Sequence, residues 1–175
     1  MPRCPWCGTD PLYVAYHDEE WGRPLHDEGR HFEFLLLETQ QAGLSWISIL
    51  RRREAYRKAF AGFDAAKVAA FDKDRVEKLL GDPSIIRNRR KIEGAVKNAR
   101  SFLAIQEEWG SFDDWLWHFV DGKPLVNSWR TLDQIPATTE LSDTVAADLK
   151  KRGFSFVINC ASNRPVPVAV LSPAI

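Results

Sequence analysis

Apolar positions recur three and four residues apart along most of the chain, and runs alternating every second residue are nearly absent before residue 154. That periodicity predicts an all-α protein, because a helix repeats every 3.6 residues and a strand every two. The clearest segment runs from Ile85 to Trp109, where Ile92, Val96, Ala99 and Leu103 share one face and Lys and Arg occupy the rest. RHFEFLLLETQQA over 30–42 reads as another helix, stopped by Gly43. Ser45 is placed to cap a next helix, WISILRRREAYRKAF. Residues 65–80 read as two short helices around Asp72. Ser111 with Asp114 makes a start like a capping box for DDWLWHFV. Ser142 is placed to cap TVAADLKKR, which Gly153 ends.

The last stretch breaks the pattern. FSFVINCASNRPVPVAVLSPAI has no acidic residue, and Pro165, Pro167 and Pro173 forbid a continuous helix. A short strand or a disordered tail is expected there. The 175 residues are enough for one domain with a sizeable core, expected over 1–157, with 158–175 as an atypical tail.

Composition narrows the function classes. Net charge is zero, so no global basic field announces nucleic acid, and local clusters must carry that argument. No apolar run approaches membrane-spanning length, and the N-terminus is polar. Three cysteines make a poor disulfide framework, which fits a reducing cytoplasm. Seven Trp imply aromatic surfaces with a use, beside ordinary core packing.

Four groups of residues could carry chemistry. Cys4-x-x-Cys7 has a zinc-ligand spacing and His17 follows, but no second Cys/His pair does; only Cys160, His26, His31 and His118 remain. Two ordinary thiols and a surface histidine explain the same residues. Glu38 shares a helix face with Phe34 and Leu35, where a carboxylate is costly unless paired or used. A tilted helix with Glu38 in solvent is the plainer reading. Used, Glu38 would sit near Trp46, Tyr16 and Trp21, an arrangement suited to a flat cationic ring. The basic clusters RRRE at 51–54, RNRRK at 87–91 and KKRG at 150–153 are solvated faces or a phosphate-binding surface. LKKRGF at 149–154 has the pattern of a helix-hairpin-helix whose second helix is not written in the sequence. No nucleotide-binding glycine motif and no HExxH or G-x-S-x-G is present.

Taken together, CPWCGTDPLYVAYHDEEWG, FEFLLLETQQAGLSWISILRRREAYRKAF, IIRNRRKIEGAVKNA and LKKRGFSFV closely resemble the DNA-3-methyladenine glycosylase I family. The similarity runs in order from about residue 3 to residue 157. It implies a helix-hairpin-helix α-fold and a monomeric base-excision repair enzyme. The reaction would be hydrolysis of the N-glycosidic bond of 3-methyladenine in double-stranded alkylated DNA. By the same resemblance Glu38 is the base-recognising carboxylate, and Trp46, Tyr16, Tyr13, Trp21 and Trp6 build the base pocket. Cys4 and His17 are half of a structural zinc site, and Cys7 is not a ligand. Lys150, Lys151, Arg152, Gly153, Arg87 and Arg89 are the expected DNA contacts. No redox or nucleotide cofactor and no membrane is implied. Asp18 is a candidate for activating water by proximity alone.

The sequence departs from the family after Phe156 and Val157. The family continues with a glycine, a polar turn and a helix of the type TICYAFMQA, then the His and Cys that complete the zinc site. Here INCASNRPVPVAVLSPAI follows, without that helix or those ligands. A shifted reading frame near residue 158 would account for the change. The expected function is therefore an active glycosylase whose hairpin is compensated. The alternative is an impaired paralogue or truncated form that binds damaged base or DNA without excision. A generic α-helical protein with a Trp-rich core is a third reading.

Overall fold

A computed structural model describes residues 3–125, 134, 136 and 138–157. Its helices are α1 (Pro11–Glu19), α2 (Glu28–Gln41), α3 (Trp46–Leu50), α4 (Arg53–Ala59), α5 (Ala65–Ala69), α6 (Lys73–Leu80), α7 (Arg89–Trp109), α8 (Phe112–Trp117) and α9 (Glu140–Lys151). Single 3₁₀ turns cover Pro5–Cys7, Ala61–Phe63 and His118–Val120, and no strand occurs among the described residues. No described helix is long and apolar enough to cross a membrane. The expected tail at 158–175, with Cys160 and the missing second hairpin helix, lies outside the described residues.

Polar side chains set most helix starts. Asp10, Asp27, Asp64, Asp72, Asn88 and Ser111 each accept a backbone N–H from the first turn that follows, satisfying donors that have no partner inside the helix. Three expectations need correction. The run WISILRRREAYRKAF is two helices, because Arg52 leaves helical geometry (φ −105°, ψ 2°). That break turns Arg53 toward Glu20 and Glu33. The long C-terminal run becomes helical only at Arg89; Asn88 caps it, while Ile85 is buried ahead of the cap. Ser142 does not cap α9. Thr139 does, and Ser142 sits at the third helical position, where each hydroxyl accepts the other's backbone N–H.

The core gathers around α2 and α7, which pack against each other, with α5, α6 and α8 also against α7. Phe32, Phe102, Phe112 and Trp115 form a continuous aromatic row, with successive centroids 5.3, 4.5 and 4.8 Å apart and only the Phe102–Phe112 pair stacked. Glu28 on α2 accepts the N–H groups of Phe112 and Asp113, so one helix caps the start of another. Tyr56 Oη accepts the Ile86 N–H at 3.1 Å and anchors the approach to α7. Helix α2 thus runs through the middle of the protein. From His31 to Gln41 only Phe34 escapes full burial.

Candidate active site

A helix enclosed on all sides should be apolar throughout, yet α2 buries His31, Glu33, Glu38, Thr39, Gln40 and Gln41. Most have visible partners. His31 faces Asp113 at 2.8 Å. Glu33 binds Arg53 and Arg57 at 2.7 and 2.8 Å. Thr39 donates to the Leu35 carbonyl. Gln40 donates to the Lys91 carbonyl, and Lys91 Nζ donates in return to the carbonyls of Gln40 (2.7 Å) and Ala42 (2.8 Å). Glu38 is 7 % exposed, so the reading that leaves it in solvent is wrong. The helix is central rather than tilted outward, and that was invisible in the spacing of its apolar residues.

Glu38 acts electrostatically on Tyr16. Burial, followed by the Glu38 and Glu20 carboxylates, holds the Tyr16 phenol well above its ordinary pKa. The Tyr16 and Trp46 rings lie 5.6 Å apart. Trp6 joins them, 5.0 Å from Tyr13, 6.4 Å from Tyr16 and 5.2 Å from Trp21. The five predicted aromatics therefore form one continuous group, in which Tyr16 and Trp46 are buried and Trp6, Tyr13 and Trp21 half-buried. Tyr16 Oη, Trp46 Nε1 and Gln41 Oε1 are buried with no hydrogen-bond partner among the described residues. Such orphaned polar atoms are rare in native interiors, and the two on the Tyr16 and Trp46 rings, 5.6 Å apart, mark a place arranged for a polar ligand. Glu38 also lines a narrow cavity with Thr39, Asn98, Ser155, Phe156 and Val157.

Local chemistry explains how the chain builds this group. Asp10 caps α1, which carries Tyr13, Tyr16 and His17. After α2 the chain turns through Gly43 at φ +79°, a left-handed conformation suited to glycine, and enters α3 with Trp46. Lys91 holds the carbonyls at the start of that turn, so one buried amine fixes the path from Glu38 to Trp46. Charge pairs brace the other side. Arg53 binds Glu20 at the end of α1 and Glu33 on α2, 2.7 Å in each case.

Cys4 and His17 do come together: the Cys4 N–H donates to His17 Nε2 at 3.3 Å. Cys7 Sγ donates to the Cys4 carbonyl, and burial raises the Cys4 thiol pKa. A zinc ion needs four donors in a structural site, and no cluster of three His, Cys, Asp or Glu suited to a metal exists among the described residues. Among the described residues, Cys4 and His17 do not by themselves make up a closed zinc site. Asp18 is engaged by Arg3 and His17, both at 2.9 Å, and Arg3 above all holds its pKa at about 2. It is not part of the Glu38 cavity lining.

The basic clusters divide. Arg87, Lys150 and Lys151 are exposed. Arg89 is paired with Glu77 at 2.7 Å. Arg152 is held by Asp148 and Glu108, each at 2.6 Å, and Gly153 turns the chain at φ +96°. Lys91 in the second cluster is buried, and Arg53 in the first is half-buried and paired with Glu20 and Glu33, so both are structural groups rather than a phosphate surface. Sequence reasoning missed Lys91, Asn98 and the Glu20–Arg53–Glu33 bridge. Only the density of polar residues in LLLETQQ hinted that α2 needed such partners.

Residues 6–161 match the family model for methyladenine glycosylase. The chain is 49% identical over 157 residues to DNA-3-methyladenine glycosylase 1 of Escherichia coli strain K12, covering 90% of this chain and 84% of that protein. Its fold superposes with a TM-score of 0.88 on a crystal structure of 3-methyladenine DNA glycosylase I, at 46% identity and over 97% of this chain and 90% of that one. A variant of 3-methyladenine DNA glycosylase I solved in complex with 3-methyladenine matches at a TM-score of 0.87 and 36% identity, over 98% and 89% of the two chains.

Proposed function

The chain belongs to the methyladenine glycosylase family, and we propose that its Glu38 pocket selects and releases 3-methyladenine from alkylated DNA. The enzyme is a DNA-repair glycosylase, an N-glycosidic bond hydrolase. The observation that carries the pocket assignment is the buried Glu38 carboxylate acting on Tyr16 within a group of aromatic rings.

Methylation at N3 gives the adenine in DNA a positive charge and makes it a good leaving group. Strong protonation of the base is therefore unnecessary. The protein has to extract the nucleotide, hold the charged ring and admit water. Extraction costs a few kcal/mol, least for a damaged base. Each cation–π contact with Trp46 or Tyr16 returns about 0.5–2 kcal/mol. The Glu38 carboxylate favours the charged base over neutral adenine and accepts hydrogen bonds from its edge. Tyr16 keeps its proton at any physiological pH, so its hydroxyl remains a donor to the ligand. Tyr13, Trp6 and Trp21 form the outer wall. Water attacks the sugar carbon as the bond to the base breaks; the base takes the bonding electrons and leaves as neutral 3-methyladenine, and the attacking water gives up one proton to solvent.

Lys150, Lys151 and Arg87 are the proposed phosphate contacts, with the turn at Gly153 following Lys150 and Lys151 in the chain. Arg152 and Arg89 supply less, because carboxylates already neutralise them. A zinc ion at Cys4 and His17 would need donors the described residues do not supply, and no step is routed through it.

Incubation of the purified protein with methylated duplex DNA, followed by chromatography of the released bases, tests the proposal. Free 3-methyladenine should accumulate with time. Tight binding of methylated duplex without release would favour the impaired, binding-only reading.

A further inference from the structure

One buried amide joins the base pocket to the turn that follows α9. Asn98 on α7 is 2 % exposed. Its Nδ2 donates to Thr39 Oγ1 at 2.9 Å and to the Ser155 carbonyl at 3.0 Å, while its Oδ1 accepts the Ser155 N–H at 2.7 Å. Both amide hydrogens and the oxygen are in use. Thr39 Oγ1 passes its own hydrogen to the Leu35 carbonyl at 2.9 Å. Thr39 is the neighbour of Glu38, and Ser155 lies two residues past Gly153. Glu38, Thr39, Asn98 and Ser155 line the same cavity.

The turn is held against α7 from several directions. Ser101 donates to the Arg152 carbonyl at 3.0 Å. Phe156 takes a left-handed φ of +59° and lies so close to α7 that a Cβ on Gly94 would sit 3.0 Å from its ring. Packing alone would be served by an apolar side chain at position 98. An amide that grips both main-chain polar groups of one turn residue, and a hydroxyl beside the pocket carboxylate, fixes a distance between two parts.

Resting on the glycosylase reading above, we propose that Asn98 is a positioning residue that keeps the DNA-gripping turn in register with the Glu38 pocket. The phosphate contacts near 150–153 set where the DNA backbone lies, and Glu38 with Trp46 sets where the base must arrive. The Ser155–Asn98–Thr39 link makes those two settings compatible. A misplacement of about 1 Å at a reacting centre lowers the rate by about 100-fold, so the link acts on the chemical step rather than on either binding step.

The test compares wild type with Asn98→Leu, which keeps the volume and deletes every hydrogen bond. Three quantities are read: the single-turnover rate of 3-methyladenine release, duplex affinity by anisotropy, and affinity for free 3-methyladenine by tryptophan fluorescence. The rate should fall about 10- to 100-fold, with both affinities within about threefold of wild type. A rate within twofold of wild type overturns the proposal. So does a fall in rate accompanied by an equal loss of free-base affinity, since Asn98 would then merely hold the pocket together. Should Asn98→Leu fail to fold, Thr39→Val deletes one end of the link and must show the same split. Wild-type protein that releases no base overturns the glycosylase reading and this inference with it, an outcome visible before any variant is made.

Discussion

Replacing Tyr16 by Phe removes a single oxygen that is buried and has no hydrogen-bond partner among the described residues. Relief of an unsatisfied buried polar group is worth about 1–3 kcal/mol. For a protein of this size the melting temperature should rise by roughly 2–4 °C for each kcal/mol. Alkaline pH gives an independent reading of the same group. The folded-state phenol is held well above its ordinary pKa by burial, then Glu38 and Glu20, while the unfolded phenol ionises near its ordinary value of about 10. The folded state therefore holds more protons above pH 10, so stability is full below that pH and is lost as pH rises toward the folded pKa. The loss per pH unit approaches about 1.4 kcal/mol for this group. Urea denaturation from pH 8 to 11 should show a shallower fall for Tyr16→Phe than for wild type. Tyr13 and Tyr56, also shifted upward by burial, keep their share of the slope in both proteins. Base release should slow by about two- to tenfold, the worth of one neutral hydrogen bond. A variant less stable than wild type at neutral pH, with an unchanged alkaline slope, would refute the reasoning.

Three further outcomes concern the supports around the pocket and the exposed basic residues. Lys91→Met leaves the Gln40 and Ala42 carbonyls without their buried donor. It should cost about 1–3 kcal/mol in chemical denaturation and slow base release. Arg53→Met strips the shared cation from Glu20 and Glu33, the latter only 3 % exposed. Breaking such a pair from one side should cost about 3–5 kcal/mol, less the share Arg57 and Arg30 retain, measured as a lower urea midpoint. Duplex affinity should fall linearly with the logarithm of salt concentration. Lys150→Ala, Lys151→Ala and Arg87→Ala should each flatten that slope by about 1 in anisotropy titrations, provided each contacts one phosphate.

How much of this was legible in the chain depends on the range of the interactions. Helix limits set by local chemistry were readable: Asp72 between two short helices, Gly43 after α2, Ser111 before α8. The start of α9 was displaced because Ser142 and Thr139 cap reciprocally, and a hydroxyl at the third helical position looks in sequence like a cap. The break at Arg52 was hidden because the carboxylates it turns Arg53 toward, Glu20 and Glu33, lie far away in the chain. The aromatic pocket residues came from resemblance rather than periodicity. Trp6, Tyr13, Tyr16 and Trp21 share no spacing rule, and only the fold brings Trp46 beside Tyr16. Charge clusters misled most. RRRE and RNRRK look equally available in sequence, yet Arg53 and Lys91 are spent inside the protein while Arg87 stays exposed. Asn98 carried no signal at all, since its partners Thr39 and Ser155 are both more than fifty residues away.

The account rests on the negative charge at Glu38, and Glu38→Gln removes that charge while keeping the shape. Single-turnover release of 3-methyladenine from methylated duplex DNA measures the consequence directly. A hydrogen bond to a charged group is worth about 1.5–3 kcal/mol, so the rate should fall by roughly 10- to 100-fold with the fold intact. A Glu38→Gln protein that releases the base as fast as wild type would contradict the central role of the carboxylate.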